Sequence, residues 1–308
     1  MTEAAALPSA VAEERDGGLA RAAVDPVRIR LDLDYEGTAF AGWAAQPGQR
    51  TVAGTLLEGL GTVLRTDPAE LGLVVAGRTD SGVHAAGQVC HIDAPRDGWD
   101  ALPGRSDLDP PAAMVRRLAG ILPGDIRVRT AVIAPDGFDA RFSAVRRRYA
   151  YRVCDHPAGP PPLRRHDVFW CRRPLDVPAM DAAARRMAGL HDFAAYCRRR
   201  EGATTVRTLI EYSWQRDDDG LAVATVVADA FCHSMVRALV GGSLAVGEGR
   251  KPVGWPAEVL AGRVRHPGVN VAPPHGLVLA EVSYPPDDEL AVRAQQARAM
   301  RTLVLPGC

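Results

Sequence analysis

The chain has 308 residues, 47% of them hydrophobic, enough to bury a large core in two lobes and ordinary for a soluble protein. Its 37 basic and 37 acidic side chains cancel to a formal charge of zero, and no apolar run approaches the roughly 18 residues of a membrane span. Six cysteines (Cys90, Cys154, Cys171, Cys197, Cys232 and Cys308) are scattered without a CxxC pair, which excludes the clustered spacing of a zinc site and predicts reduced thiols in a cytoplasmic protein.

Residues 1–26 are rich in Ala and Glu, and Glu13, Glu14, Arg15 and Asp16 break any signal-peptide core, so a disordered tail is expected. Alternating Leu31 and Leu33 against Arg30, Asp32 and Asp34 predict a strand over Arg28–Asp34. An apolar face of Val52, Leu56, Leu57, Leu60, Val63 and Leu64 predicts a helix over Val52–Leu64, with Thr51 as N-cap. Leu71–Ala76 (LGLVVA) and Gln88–Ile92 (QVCHI) are expected as buried strands around a glycine-rich loop. Pro95–Leu108 is expected as loop, Pro110 and Pro111 open a helix to about Ile121, and Ile126–Ile133 is the next strand. That order is β-α-β-β-α-β.

The second half repeats it. Tyr149–Val153 is predicted as a strand and Pro178–Gly189 as a helix. Arg207–Gln215 and Leu221–Ala228 form a hairpin about Asp217-Asp218-Asp219-Gly220. A helix follows from about Cys232 to Val246, and Leu277–Ser283 is a last strand. Two such α/β halves, 27–145 and 146–308, predict one wide sheet joined edge to edge, with a cleft between the lobes.

The zero net charge conceals a strong asymmetry. Between Arg141 and Arg173 lie nine arginines and two aspartates, a local charge of +7, and Arg198-Arg199-Arg200 forms another knot. Such clustering fits a phosphate-backbone partner, and guanidinium groups suit bidentate phosphate contacts.

The densest chemistry is Gly77-Arg78-Thr79-Asp80-Ser81-Gly82-Val83-His84-Ala85, between two apolar runs. Glycines around Asp80 let a loop present one carboxylate where a ligand can approach. Taken singly, Asp-Ser-Gly is turn chemistry, and Arg78 beside Asp80 is a surface pair worth about 0–1 kcal/mol. As one string, Arg78-Thr79-Asp80-Ser81-Gly82-Val83-His84-Ala85 resembles the active-site signature of TruA-type tRNA pseudouridine synthases. Tyr35-Glu36-Gly37-Thr38-Ala39-Phe40-Ala41-Gly42-Trp43 resembles the opening block of that family. Phe138-Asp139-Ala140-Arg141-Phe142-Ser143-Ala144 with Arg148-Tyr149-Ala150-Tyr151 is similar to its second block. Asp192-Phe193 with Phe231-Cys232-His233-Ser234-Met235-Val236-Arg237, and Gly276-Leu277 to Tyr284-Pro285, resemble the third block and the closing strand. The ordered matches run from about Arg28 to Pro285.

The resemblance implies an α+β fold: two ferredoxin-like or RNP-like lobes joined into one extended mixed, mainly antiparallel sheet with a central basic cleft. It implies a homodimer that converts uridine to pseudouridine at positions 38–40 of the tRNA anticodon stem-loop, with no cofactor and no metal. Asp80 is then the catalytic carboxylate. Its partner is Arg78 or Arg237; a helix from Cys232 would stack His233 and Arg237 toward the cleft, and the resemblance favours Arg237. Tyr149 is singled out as the ring beneath the target uracil, although two aromatics on one strand face, Tyr149 and Tyr151, are also what a core requires. Arg78 is left to contact RNA or to fill the gap of the extruded base, and Arg141 to contact phosphate or support the Asp80 loop. His84 is a substrate contact or a satisfied buried histidine.

Three other readings compete: a non-catalytic RNA-binding protein of this fold, a pseudouridine synthase acting on a different RNA, and a carboxylate-dependent hydrolase. The hydrolase needs a second acid, for which Asp93 and Asp139 are the sequence neighbours.

Overall fold

The computed structural model describes residues 25–198 and 204–298. The arginines at 199 and 200 and the expected tail up to residue 24 lie outside the described residues; the tail expected to reach residue 26 ends earlier, because Pro26 already pairs with Pro95 in the sheet. In chain order the elements are β1 (Pro26–Tyr35), α1 (Val52–Leu64), β2 (Val74–Val75), β3 (His84–Pro95), α2 (Arg96–Asp100), α3 (Pro110–Ile121) and β4 (Ile126–Ile133). There follow β5 (Arg146–Cys154), β6 (Phe169–Trp170), α4 (Val177–Arg185), β7 (Gly189–Asp192), β8 (Val206–Arg216), β9 (Ala222–Ala228), α5 (Met235–Gly247), α6 (Trp255–Ala261), β10 (Leu277–Ser283) and α7 (Leu290–Arg298).

Among the described residues, all ten strands belong to one mixed, mostly antiparallel sheet ordered β4-β1-β3-β10-β5-β9-β8-β7, with β2 and β6 paired to β3 and β5. The last long strand joins the two halves. It runs parallel to β3 through Val278↔His84 and Leu279↔Ala85, and antiparallel to β5 through Val278↔Ala150 and Leu279↔Tyr149. The start of β3 and the centre of β5 are thereby one strand apart, which brings the Asp80 loop beside Tyr149.

Local chemistry explains the helices. Thr51 caps α1 by accepting from the Gly54 N–H, and Asp109 caps α3 by accepting from the Ala112 N–H after Pro110 and Pro111 fix its first turn. Asp176 does the same for α4 through the Ala179 N–H. On β1, Val27, Ile29, Leu31, Leu33 and Tyr35 are buried. The opposite face carries Arg28, paired with Asp93 of β3 at 2.7 Å, and Arg30, over the rings of Phe138 and Tyr284. No helix of the described residues is long and apolar enough to cross a membrane.

The structure corrects several sequence expectations. Leu71–Ala76 is not a strand throughout: Pro68 starts a 3₁₀ turn that carries Leu71 into the core, and only Val74–Val75 pairs with β3. Pro95–Leu108 contains α2, whose Trp99 is fully buried. The helix expected to reach Gly189 ends at Arg185, and Gly189–Asp192 forms the edge strand β7. The helix expected from Cys232 begins at Met235, because Ser234 adopts a left-handed backbone that ends the preceding turn.

Candidate active site

The opening block is the cradle of the Asp80 loop. The Tyr35 hydroxyl lies 2.8 Å from the Thr79 hydroxyl, and Gln88 donates to both Tyr35 Oη and the Gly77 carbonyl. The Trp43 N–H donates to the Thr79 carbonyl, and the Gly82 N–H to that of Phe40. Gly42 sits at φ +96°, and a Cβ there would lie 3.0 Å from the Thr79 carbonyl oxygen and 3.1 Å from the Ser81 nitrogen. At Gly37 a Cβ would overlap the Val83 carbonyl. Both glycines serve close backbone approach, which holds the loop by its main chain and leaves the Asp80 side chain to the cleft.

Three side chains from the turn before α5 and from its first turn meet that carboxylate. The Ser234 hydroxyl donates to Asp80 Oδ2 at 3.0 Å, Arg237 Nη1 stands 3.4 Å from the same oxygen, and His233 Nε2 stands 3.4 Å from Oδ1. Arg237 is itself fixed by a 2.7 Å bond from Nε to the Ala272 carbonyl, whose N–H returns to the Arg237 carbonyl. The ion pair is therefore longer than an ordinary charge-assisted hydrogen bond, and the arginine is aimed mainly by the loop at Ala272.

Tyr149 forms one wall. Its ring meets Phe231 edge-on with centroids 5.1 Å apart, and burial pushes its phenol well above the usual tyrosine range. The cleft has a volume of about 1030 Å³, and Asp80, Arg237, Tyr149, Arg78 and Arg141 all line it. Arg78 and Arg141 are exposed at its rim. The turn that presents Arg141 is built by Asp139, whose Oδ1 accepts the N–H groups of Arg141 and Phe142.

His84 is not part of the lining. It is buried; its Nδ1 accepts the Gly37 N–H at 2.9 Å and its Nε2 lies 3.0 Å from the His275 carbonyl, so the ring proton sits on Nε2 and donates there. Of the nine arginines between 141 and 173, only Arg141 and Arg147 line the cleft. Arg146 and Arg148 pair with Glu281, and Arg152 and Arg164 with Asp167. The cleft draws further guanidinium groups from distant segments, including Arg198, Arg207 and Arg293. Asp93 pairs with Arg28 and Asp139 builds its turn, so neither lies in the lining. Asp229 does line it, with Oδ1 accepting the N–H groups of Thr208 and Ala230.

Sequence reasoning missed two residues here. Ser234 was legible only as a letter in a motif. Arg147 counted only as charge, yet it is buried, and burial pushes its pKa down. Its guanidinium donates to the carbonyls of Ala76, Arg141 and Asp229 at 2.9, 2.8 and 2.7 Å. The signal was available, since residues 147, 149 and 151 share one face of β5 by the period of two.

A family model described as tRNA pseudouridine synthase matches residues 183–285. The chain is 56% identical over 283 residues to the tRNA pseudouridine synthase A of Streptomyces griseus, covering 92% of this chain and 96% of that one. It is 59% identical to the protein of the same name from Frankia casuarinae, over 89% and 96% of the two chains. Against that of Mycobacterium leprae the identity is 49%, over 90% and 96%.

Proposed function

Given that the chain belongs to the tRNA pseudouridine synthase A family, we propose that it isomerises uridine to pseudouridine in tRNA, at positions 38–40 of the anticodon stem-loop, with Asp80 as the catalytic carboxylate. The C1′–N1 bond breaks, a C1′–C5 bond forms, and the proton lost from C5 is balanced by the proton gained at N1. The conversion is redox-neutral and needs no cofactor.

The observation that carries this reading is one carboxylate, presented by a loop gripped through its backbone, facing an arginine and an aromatic wall in one cleft. A target uridine must leave the helical stack to reach it. Tyr149 stacks beneath the extruded uracil, a contact worth about 1–3 kcal/mol for any base. Arg237 is the ion-pair partner of Asp80. Arg78, exposed at the rim, contacts RNA or fills the gap left by the base, and Arg141 meets phosphate. His84 acts on substrate at one remove, by joining the Gly37 and His275 backbones beneath the Asp80 loop. The resemblance further supports a homodimer acting in the cytoplasm.

Carbodiimide adducts that stop reverse transcriptase map pseudouridine directly. After incubation of an unmodified tRNA transcript with the enzyme, stops are expected at uridines 38–40. Stops elsewhere in the tRNA would displace the anticodon reading, and none in tRNA would favour a synthase for another RNA.

A further inference from the structure

Ser234 departs twice from what stability alone would choose. It is a non-glycine residue at φ 59°, ψ 12°, the left-handed region that L side chains avoid. It also occupies the N-cap of α5 and makes no side-chain cap bond, although a serine there ordinarily satisfies one of the orphan N–H groups of the first turn. Glycine would take the same backbone without strain. The hydroxyl goes instead to Asp80 Oδ2 at 3.0 Å, across 154 residues of chain.

The two oxygens of Asp80 are consequently unequal. Oδ2 accepts from Ser234 and faces Arg237, whereas Oδ1 has His233 Nε2 at 3.4 Å. Charge-assisted bonds of this kind are directional, so two donors on one oxygen fix the carboxylate plane as well as its place. We propose that Ser234 is a positioning residue for the isomerisation: its strained backbone aims a hydroxyl that holds Asp80 by Oδ2 and leaves Oδ1 as the oxygen that meets the uridine. This rests on Asp80 being the catalytic carboxylate.

The test compares Ser234→Gly, Ser234→Ala and Asp80→Asn in the full chain, with an unmodified tRNA transcript as substrate. Both Ser234 variants lose the hydroxyl, but only Gly relieves the left-handed backbone. The Gly variant should melt at or above the wild-type temperature and the Ala variant below it. Both should lose kcat by about 10- to 100-fold with KM within about twofold, because the lost bond orients a reacting group and does not hold RNA. A Gly variant with wild-type kcat, beside an inactive Asp80→Asn, overturns the role of Ser234 and leaves that of Asp80 standing. An active Asp80→Asn overturns both. A fall in kcat that tracks lost melting temperature, in Ala and not in Gly, assigns Ser234 to folding alone and also overturns the proposal.

Discussion

The Arg147 guanidinium donates to the Ala76 carbonyl oxygen at 2.9 Å, tying β5 to the segment that enters the Asp80 loop. Its other bonds, to the carbonyls of Arg141 and Asp229, draw the rim turn and the end of β9 to the same point. Three carbonyl dipoles hold this buried charge. Replacing Arg147 with Met strands two buried acceptors and a partly buried one, at about 1–3 kcal/mol each, reduced where water enters. A loss of about 3 kcal/mol in urea unfolding is expected, with Arg147→Lys recovering part of it.

Gly42 is expected to be intolerant of even one methyl group. At φ +96°, with the Thr79 and Ser81 backbone about 3 Å from any Cβ, Gly42→Ala must move the loop that carries Asp80. The expected cost is about 1–2 kcal/mol of stability, with a fall in kcat larger than that cost would produce in folded fraction. Circular dichroism melting and steady-state kinetics on the same preparation separate the two.

Tyr149 should act through its ring. Tyr149→Ala removes the proposed stacking surface, worth about 1–3 kcal/mol, and should lower kcat/KM by about 10- to 100-fold, whereas Tyr149→Phe should keep most of the activity. Burial keeps the phenol protonated well beyond its ordinary range. Wild type and Tyr149→Phe should therefore share one alkaline limb up to about pH 9 in a pH–rate profile.

Asp155 offers a stability prediction with a definite sign. Arg216 donates to both of its oxygens, at 2.9 and 2.8 Å, and the Leu175 N–H donates to Oδ2, which holds the carboxyl below its ordinary range. A depressed folded-state value stabilises the protein above the unfolded value of about 4, and the gain is lost as pH falls through the folded value. With Arg216 half-exposed and screened by solvent, Asp155→Asn should cost about 1 kcal/mol at neutral pH. Urea midpoints of the two proteins should converge on the acid side.

Much of this molecule was legible from local rules. The α1 boundaries and the Thr51 cap followed from helical periodicity and capping chemistry, β1 contains the strand expected from alternation at Arg28–Asp34, and β4 and β10 match the strands expected at Ile126–Ile133 and Leu277–Ser283. Where long-range contacts decide, those rules failed. Leu71 is buried at the end of a 3₁₀ turn, which an apolar run cannot distinguish from a strand. His233 reaches Asp80 from a turn and not from a helix face, because a left-handed Ser234 is invisible to periodicity. The arginine cluster was real in sequence, but four of its nine members pair with Glu281 or Asp167, while Arg198, Arg207 and Arg293 reach the cleft through the fold.

Tritium release reads the proposed role of Asp80 in the isomerisation. Replacement of the C5 proton makes tRNA carrying 5-³H-uridine release tritium to water, and wild type should do so while Asp80→Asn, folded and still binding tRNA, should not. Release by both proteins at similar rates would remove Asp80 from the chemistry.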